Sequence, residues 1–214
     1  PLVGIEPDYS QAAEWYEKAA ENGLDHAQNN MGNMYARGIG VAQNYEKAFY
    51  WYSQAAERLN QEAMSNVANC YYLGRGVEQD YIKAAEFHTK AANLGYANSQ
   101  EVLGEMYMEG KGVEQNYTQA AYWLNKSCEN GERSAFAPFG DCHRKGLGVE
   151  KDEKKAFELY QNGSEMGDLR SKVSMAECLI EGWGTKCDDK QAAQILEAVC
   201  NDEEEYRENL VTMM

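Results

Sequence analysis

Positive charge is scarce in this chain. Its 20 Lys and Arg face 35 Asp and Glu, for a formal charge of −15. Nucleic acids and anionic membranes are bound through basic surfaces, so neither is expected as a partner. An acidic surface favours solubility and is compatible with a basic protein partner. Long apolar runs are also missing. None approaches the roughly 20 residues of a membrane span, so no membrane insertion is expected. No signal peptide is visible, although a chain that begins at Pro1 leaves room for an export signal or further repeats before it.

Chemical motifs are equally sparse. No GxSxG, Walker or HExxH pattern is present, and no cysteine has CxxC or zinc-type spacing. Cys142 and His143 invite a nucleophile-and-base reading. Adjacent residues on a helix point about 100° apart, which sets these two side chains facing different ways. His26, His88 and His143 fall at three different places of the repeat described next, two of them usually taken by tyrosine. They read as core substitutions and not as a ligand set. The chain is therefore expected to carry no cofactor or metal and not to be an enzyme.

What the chain does have is a period of 36 residues. The stretch Gly74-Arg75-Gly76-Val77-Glu78-Gln79-Asp80-Tyr81 returns with its first glycine at Gly38, Gly74, Gly110, Gly146 and Gly182. Asp or Asn closes each unit, at Asp8, Asn44, Asp80, Asn116, Asp152 and Asp188. A fixed period of this size marks an all-α solenoid of helix-turn-helix units, each burying its apolar face against its neighbours. The units run 8–43, 44–79, 80–115, 116–151 and 152–187, with a partial capping repeat at 188–214 and the tail of a preceding repeat or a linker at 1–7.

Within a unit, Asp80 is a good N-cap, and Tyr81, Ala84, Ala85, Phe87, His88, Ala91 and Ala92 follow at offsets of 3, 4 and 7, one broad face of a helix. A second helix is expected from about Asn98 to Glu109. Gly32, Ala68, Gly104, Gly140 and Ala176 share one place in the second helices, where small side chains let backbones approach. Trp15, Trp51, Phe87, Trp123, Leu159 and Ile195 share a large position that fills the remaining space.

Local departures carry their own expectations. Leu59 replaces a turn glycine, so that turn should differ or borrow Asn60. Gly163-Ser164 replaces an Ala-Ala pair and should loosen the fifth unit. Asn201 to Glu205 should break the last helix, with a short helix after it. Cys70, Cys142 and Cys178 stand where Met34 and Met106 stand; Cys128 and Cys200 stand where alanines do. All read as reduced and mostly buried thiols. Such unpaired core cysteines suit the cytoplasm, and a periplasmic or secreted setting remains compatible with a lost leader.

The run Tyr45-Glu46-Lys47-Ala48-Phe49-Tyr50-Trp51-Tyr52-Ser53-Gln54-Ala55-Ala56, flanked by GxG turns, resembles the Sel1-like repeat family, a branch of the tetratricopeptide-type helical repeats. The resemblance covers almost the whole chain. It implies an α/α superhelix and a protein-binding adaptor, often bacterial, with no particular partner. Some cysteine-rich relatives are linked to β-lactams, but they carry regularly paired cysteines within each unit, which this chain lacks. A weak hydrolase on cell-wall-type or β-lactam substrates and an architectural segment of a longer repeat protein are the competing readings.

The outer face of the first helices sorts its charges. Along one edge stand Glu14, Glu17, Glu21, Glu46, Glu57, Glu86, Glu129, Glu158 and Glu165, with Lys154 the single basic member. Lys18, Lys47, Lys83, Lys90, Lys126 and Lys155 hold the other edge. The resemblance to tetratricopeptide repeats puts the acidic edge on the concave surface. The candidate protein-binding face comprises Glu14, Glu17, Glu21, Phe49, Tyr50, Glu57, Ile82, Glu86, Tyr122, Asn125 and Glu129. Its expected partner is a basic or mixed protein segment with apolar anchors. The plain alternative is a solvated helix face with i to i+4 charge pairing.

Overall fold

The computed structural model describes the backbone of residues 8–212 and the side chains of residues 8–201. The expected repeat tail at 1–7 lies outside the described residues. The chain is all-α: eleven α-helices and one 3-10 turn, with no strand among the described residues. The odd helices are α1 (Tyr9–Glu21), α3 (Tyr45–Glu57), α5 (Tyr81–Asn93), α7 (Tyr117–Glu129), α9 (Glu153–Glu165) and α11 (Asp189–Thr212). The even helices are α2 (Asp25–Arg37), α4 (Gln61–Leu73), α6 (Ala97–Glu109), α8 (Phe136–Lys145) and α10 (Leu169–Glu181).

The punctuation of the sequence explains this regularity. Each odd helix starts where Asp8, Asn44, Asp80, Asn116, Asp152 or Asp188 accepts a backbone N–H from the residue three positions on. That bond satisfies one of the donors every helix start leaves open. Even helices end on the first glycine of each GxG, which takes a left-handed conformation with its N–H on the carbonyl four residues back. The second glycine has a different task. A Cβ at Gly76 would land on the carbonyl oxygen of Tyr45, at the start of the preceding odd helix, and one at Gly148 on that of Tyr117. The GxG turn thus presses on the N-terminus of the previous odd helix, where only glycine fits.

Two compact units divide the chain, 1–106 with 110–114, and 107–109 with 115–214. In the first, α1 packs on α2, α2 on α3, α3 on α4 and α4 on α5. Its core joins Met31, Met34, Tyr52, Met64 and Val67 to a layer of fully or nearly fully buried alanines. In the second, the chain α7, α8, α9, α10, α11 packs in the same serial fashion, and α8 also reaches α10. The shared small place of the second helices makes room for tyrosine rings. A Cβ on Gly32 would enter the ring of Tyr52, and one on Gly140 the ring of Tyr160.

Several expectations are corrected. Leu59 does not force a different turn: it adopts the left-handed conformation itself, with φ 64°, while Asn60 caps α4 by accepting from the N–H of Ala63. Gly163 does not loosen its unit, because a Cβ there would collide with Ser171 and Phe136, so the glycine marks tight packing. The acidic run at 201–205 does not interrupt α11, which is continuous from Asp189 to Thr212. Glutamate is a good helix former, and the run contains neither Gly nor Pro. Trp15 does not fill a core. It is 65% exposed, because no described helix precedes α1 to cover it. Pro138 stands in the first turn of α8, after a 3-10 turn at Arg133–Ala135. In the first turn a proline removes no intrahelical hydrogen bond.

Candidate protein-binding surfaces

The odd helices place the acidic edge in solvent. Glu14, Glu21, Glu57, Glu86 and Glu129 are exposed and Glu17 is half-buried. The apolar members stand out with them: Tyr50 is 55% exposed, Ile82 64% and Tyr122 51%. The rings of Tyr50 and Tyr122 each meet the neighbouring tryptophan edge-on, Trp51 at 5.1 Å and Trp123 at 5.0 Å. Phe49 behaves differently. It is half-buried against the core and meets Tyr71 edge-on at 5.4 Å. Ile82 and Glu86 are brought together in one shallow cleft of about 350 Å³, shared with Thr89, Lys90 and Val113. In the second unit Glu129 accepts from Asn125 at 2.8 Å and from Lys126 at 2.9 Å. These partners lower the carboxyl pKa of Glu129, the Lys126 hydrogen bond most.

Four lysines of the other edge lie over aromatic faces, while Lys126 and Lys155 pair with Glu129 and Glu158. Lys18 sits over Trp15 at 4.5 Å, Lys47 over Tyr35 at 4.9 Å, Lys83 over Tyr71 at 5.2 Å and Lys90 over Phe87 at 4.5 Å. A cation over a ring face is held there electrostatically. The charge sorting along these helices therefore has a local cause on the basic side, while most acids of the other edge face water.

The titratable groups of the interior are held neutral. Burial pushes the thiols of Cys70, Cys142 and Cys178 up to about 11. A protonated thiol is a poor nucleophile. None of the six cysteines forms a disulfide. Not all are buried: Cys128 is half-buried, and Cys187 and Cys200 are exposed, which corrects the core reading of Cys200. Cys200 lies on the outer side of α11, where the described residues supply no covering helix. His143 meets Phe139 edge-on at 5.0 Å, and burial lowers its pKa. His88 is fully buried, with Nδ1 3.1 Å from the Ser99 hydroxyl, and desolvation lowers its pKa to about 4. Among the described residues no three His, Cys, Asp or Glu side chains gather as metal ligands, and no helix is long and apolar enough to cross a membrane.

One surface went unnoticed in the sequence. Between α2, α3 and α4 lies a cleft of about 430 Å³ lined by Asn33, Arg37, Tyr45, Asn66, Asn69 and Arg75, among others. The Tyr52 hydroxyl, at its wall, donates to Asn33 Oδ1 at 2.8 Å. Arg75 lies over the Tyr45 ring at 5.4 Å. The signal was present in the repeat register: Asn33 and Asn69 occupy a place that Glu105, Asp141 and Glu177 hold in later copies.

Comparison with known proteins places this architecture. The Sel1 repeat family model matches residues 2–24, 25–58, 61–96, 97–132 and 140–168. From residue 25 onward each matched segment couples an even helix to the odd helix after it. The chain is similar to a Sel1 repeat protein from Oxalobacter formigenes, at 28% identity and a TM-score of 0.82, over 92% of this chain and 84% of that one. It is also similar to c5321, a protective antigen of uropathogenic Escherichia coli with an SLR fold, at 32% identity and a TM-score of 0.83. That match covers 94% of this chain but 43% of the antigen. The immunity protein PA5088 from Pseudomonas aeruginosa shares the fold at 17% identity, with a TM-score of 0.64 over 94% of this chain and 75% of that one. No curated protein matches the chain.

Proposed function

Because the chain belongs to the Sel1 repeat family, whose members are protein-interaction scaffolds, we propose that it acts by binding a protein partner without catalysis, and that the acidic edge of its odd helices is a docking surface. The observation that carries this reading is the pairing of exposed carboxylates with exposed large apolar side chains. Ile82 and Glu86 share one cleft, and Tyr50 and Tyr122 project beside other acids. Aromatic anchors ringed by charge are the usual composition of protein interfaces. The matching partner segment is basic and carries apolar side chains. Solved relatives from Oxalobacter and Escherichia support a bacterial setting.

The test is selection of random displayed dodecapeptides on the wild-type chain and on a variant with Glu14, Glu86 and Glu129 changed to Lys. The wild type should enrich peptides that combine Lys or Arg with an aromatic or aliphatic residue. Their synthetic copies should bind more weakly at high salt, since opposite charges steer the encounter. Tyr122→Ala should weaken those bound in the second unit by about 1 kcal/mol or more, the usual scale of a hot spot. Equal enrichment of basic peptides on the charge-reversed variant would rule the acidic edge out as the docking surface.

A further inference from the structure

The cleft between α2, α3 and α4 is the reverse of the acidic edge. In a chain of charge −15, it is lined by Arg37 and Arg75 and by no Asp or Glu. Neither arginine has a carboxylate within salt-bridge range among the described residues. Glu62, one turn before Asn66 on α4, acts electrostatically on the Tyr52 hydroxyl but does not line the cleft.

The repeat supplies an internal comparison. Tyr160, at the place of Tyr52, donates to Asp141 at 2.7 Å, just as Tyr52 donates to Asn33. Asp141 stands at the place of Asn33, and Lys145 at the place of Arg37. There the carboxylate is fully used. Lys145 reaches it at 3.6 Å, Arg144 at 3.2 Å and Arg170 at 3.7 Å. The second unit thus neutralises its cations with an acid of its own. The first unit keeps the tyrosine hydrogen bond and the cation but replaces that acid by neutral Asn33.

We propose that the cleft binds an acidic peptide segment, with a carboxylate of the ligand on Arg37 and Arg75 in the role Asp141 plays in the second unit. Guanidinium groups are suited to carboxylates through paired N–H donors. The Asn69 side chain is exposed and makes no hydrogen bond among the described residues, and the Asn33 side chain uses its oxygen on Tyr52 and keeps its amide nitrogen for a ligand. Each amide offers groups that match a peptide backbone. A volume of about 430 Å³ exceeds what a single small anion occupies, and the amides extend it along two helices. This site does not depend on the acidic edge, and it selects ligands of opposite charge.

The experiment uses the same displayed dodecapeptides with two further variants, Asn33→Asp and the double variant Arg37→Gln, Arg75→Gln. Asn33→Asp restores a carboxylate that can accept from Tyr52 as Asp141 does from Tyr160 and can pair with Arg37, filling the site from within. Ala36 and Glu62 stand at the places of Arg144 and Arg170, so a melting curve checks that the variant is folded. The wild type should enrich a class of peptides rich in Asp or Glu. Both variants should lose that class while keeping the basic class. Synthetic copies should bind about tenfold or more weakly to each variant, and to the wild type when their acids are changed to amides. Absence of an acidic class, or its equal enrichment on both variants, overturns the proposal. So does displacement of the peptide by acetate at equal carboxylate concentration, which would make the cleft a small-anion site. Loss of the basic class alone would count against the acidic edge and leave this site standing.

Discussion

At the residue scale, identical repeat places are tuned by what lies beside them. Cys142 and Cys178 are fully buried, while Cys187 and Cys200 face water. Burial raises the buried thiols' pKa to about 11, so they are both shielded and protonated. With a thiol-specific reagent at pH 8, Cys187 and Cys200 should react fast and Cys128 more slowly. Cys70, Cys142 and Cys178 should wait for denaturant. Mass mapping of the labelled peptides checks the order. His88 gives a pH prediction. Its folded pKa is depressed to about 4 from an unfolded value near 6.5, so between these values the unfolded chain binds the proton and the folded chain does not. The stability difference is therefore complete above the unfolded pKa and lost as pH falls toward 4. At pH 5 the loss should be about 2 kcal/mol. His88→Leu removes the titration and takes the residue found at this place in Leu124. Urea melts at pH 7 and pH 5 should show a smaller pH effect in the variant than in the wild type.

At the element scale, the helix ends decide most of the fold. Leu59 occupies a turn position at φ 64° while 67% exposed, so it bears the left-handed conformation with little packing in return. Four other turns use Gly23, Gly95, Gly131 and Gly167 with positive φ at this place. Leu59→Gly should raise stability by roughly 0.5–1 kcal/mol, the left-handed penalty of a branched residue less the entropy that glycine loses on folding. A lower denaturation midpoint would mean that the Leu59 side chain packs more than its exposure indicates. The same scale shows what could be read from sequence. The Asp and Asn caps and the GxG stops were legible because caps and left-handed turns are local chemistry at fixed offsets. Leu59 was not, since nothing in a leucine announces that its neighbours will hold it left-handed. The continuity of α11 was missed for a similar reason: an acidic run reads as a break, yet its residues favour helix. The cationic cleft was hidden because it depends on a pairing across turns. Whether Arg37 is neutralised is decided by Asn33 one turn earlier, and only the contrast with Asp141 and Lys145 makes the missing acid visible.

At the scale of the whole molecule, the helices that pack within each compact unit are near neighbours in sequence. Stability in such arrays is close to a sum of unit and nearest-neighbour terms, so damage should stay local. The two ring-filled glycines provide a matched pair. Gly32→Ala pushes a methyl group into the Tyr52 ring between α2 and α3, and Gly140→Ala does the same to Tyr160 between α8 and α9. Overpacking of this kind typically costs about 1–3 kcal/mol. Amide hydrogen exchange followed by mass spectrometry should then give mirror-image results. Gly32→Ala should lower protection in α2 and α3, less in α1 and α4, and leave α9 and α10 as in the wild type. Gly140→Ala should lower it in α8 and α9 and spare α2 and α3. If both variants lose protection equally along the chain, the array unfolds as one cooperative body, and the nearest-neighbour account fails.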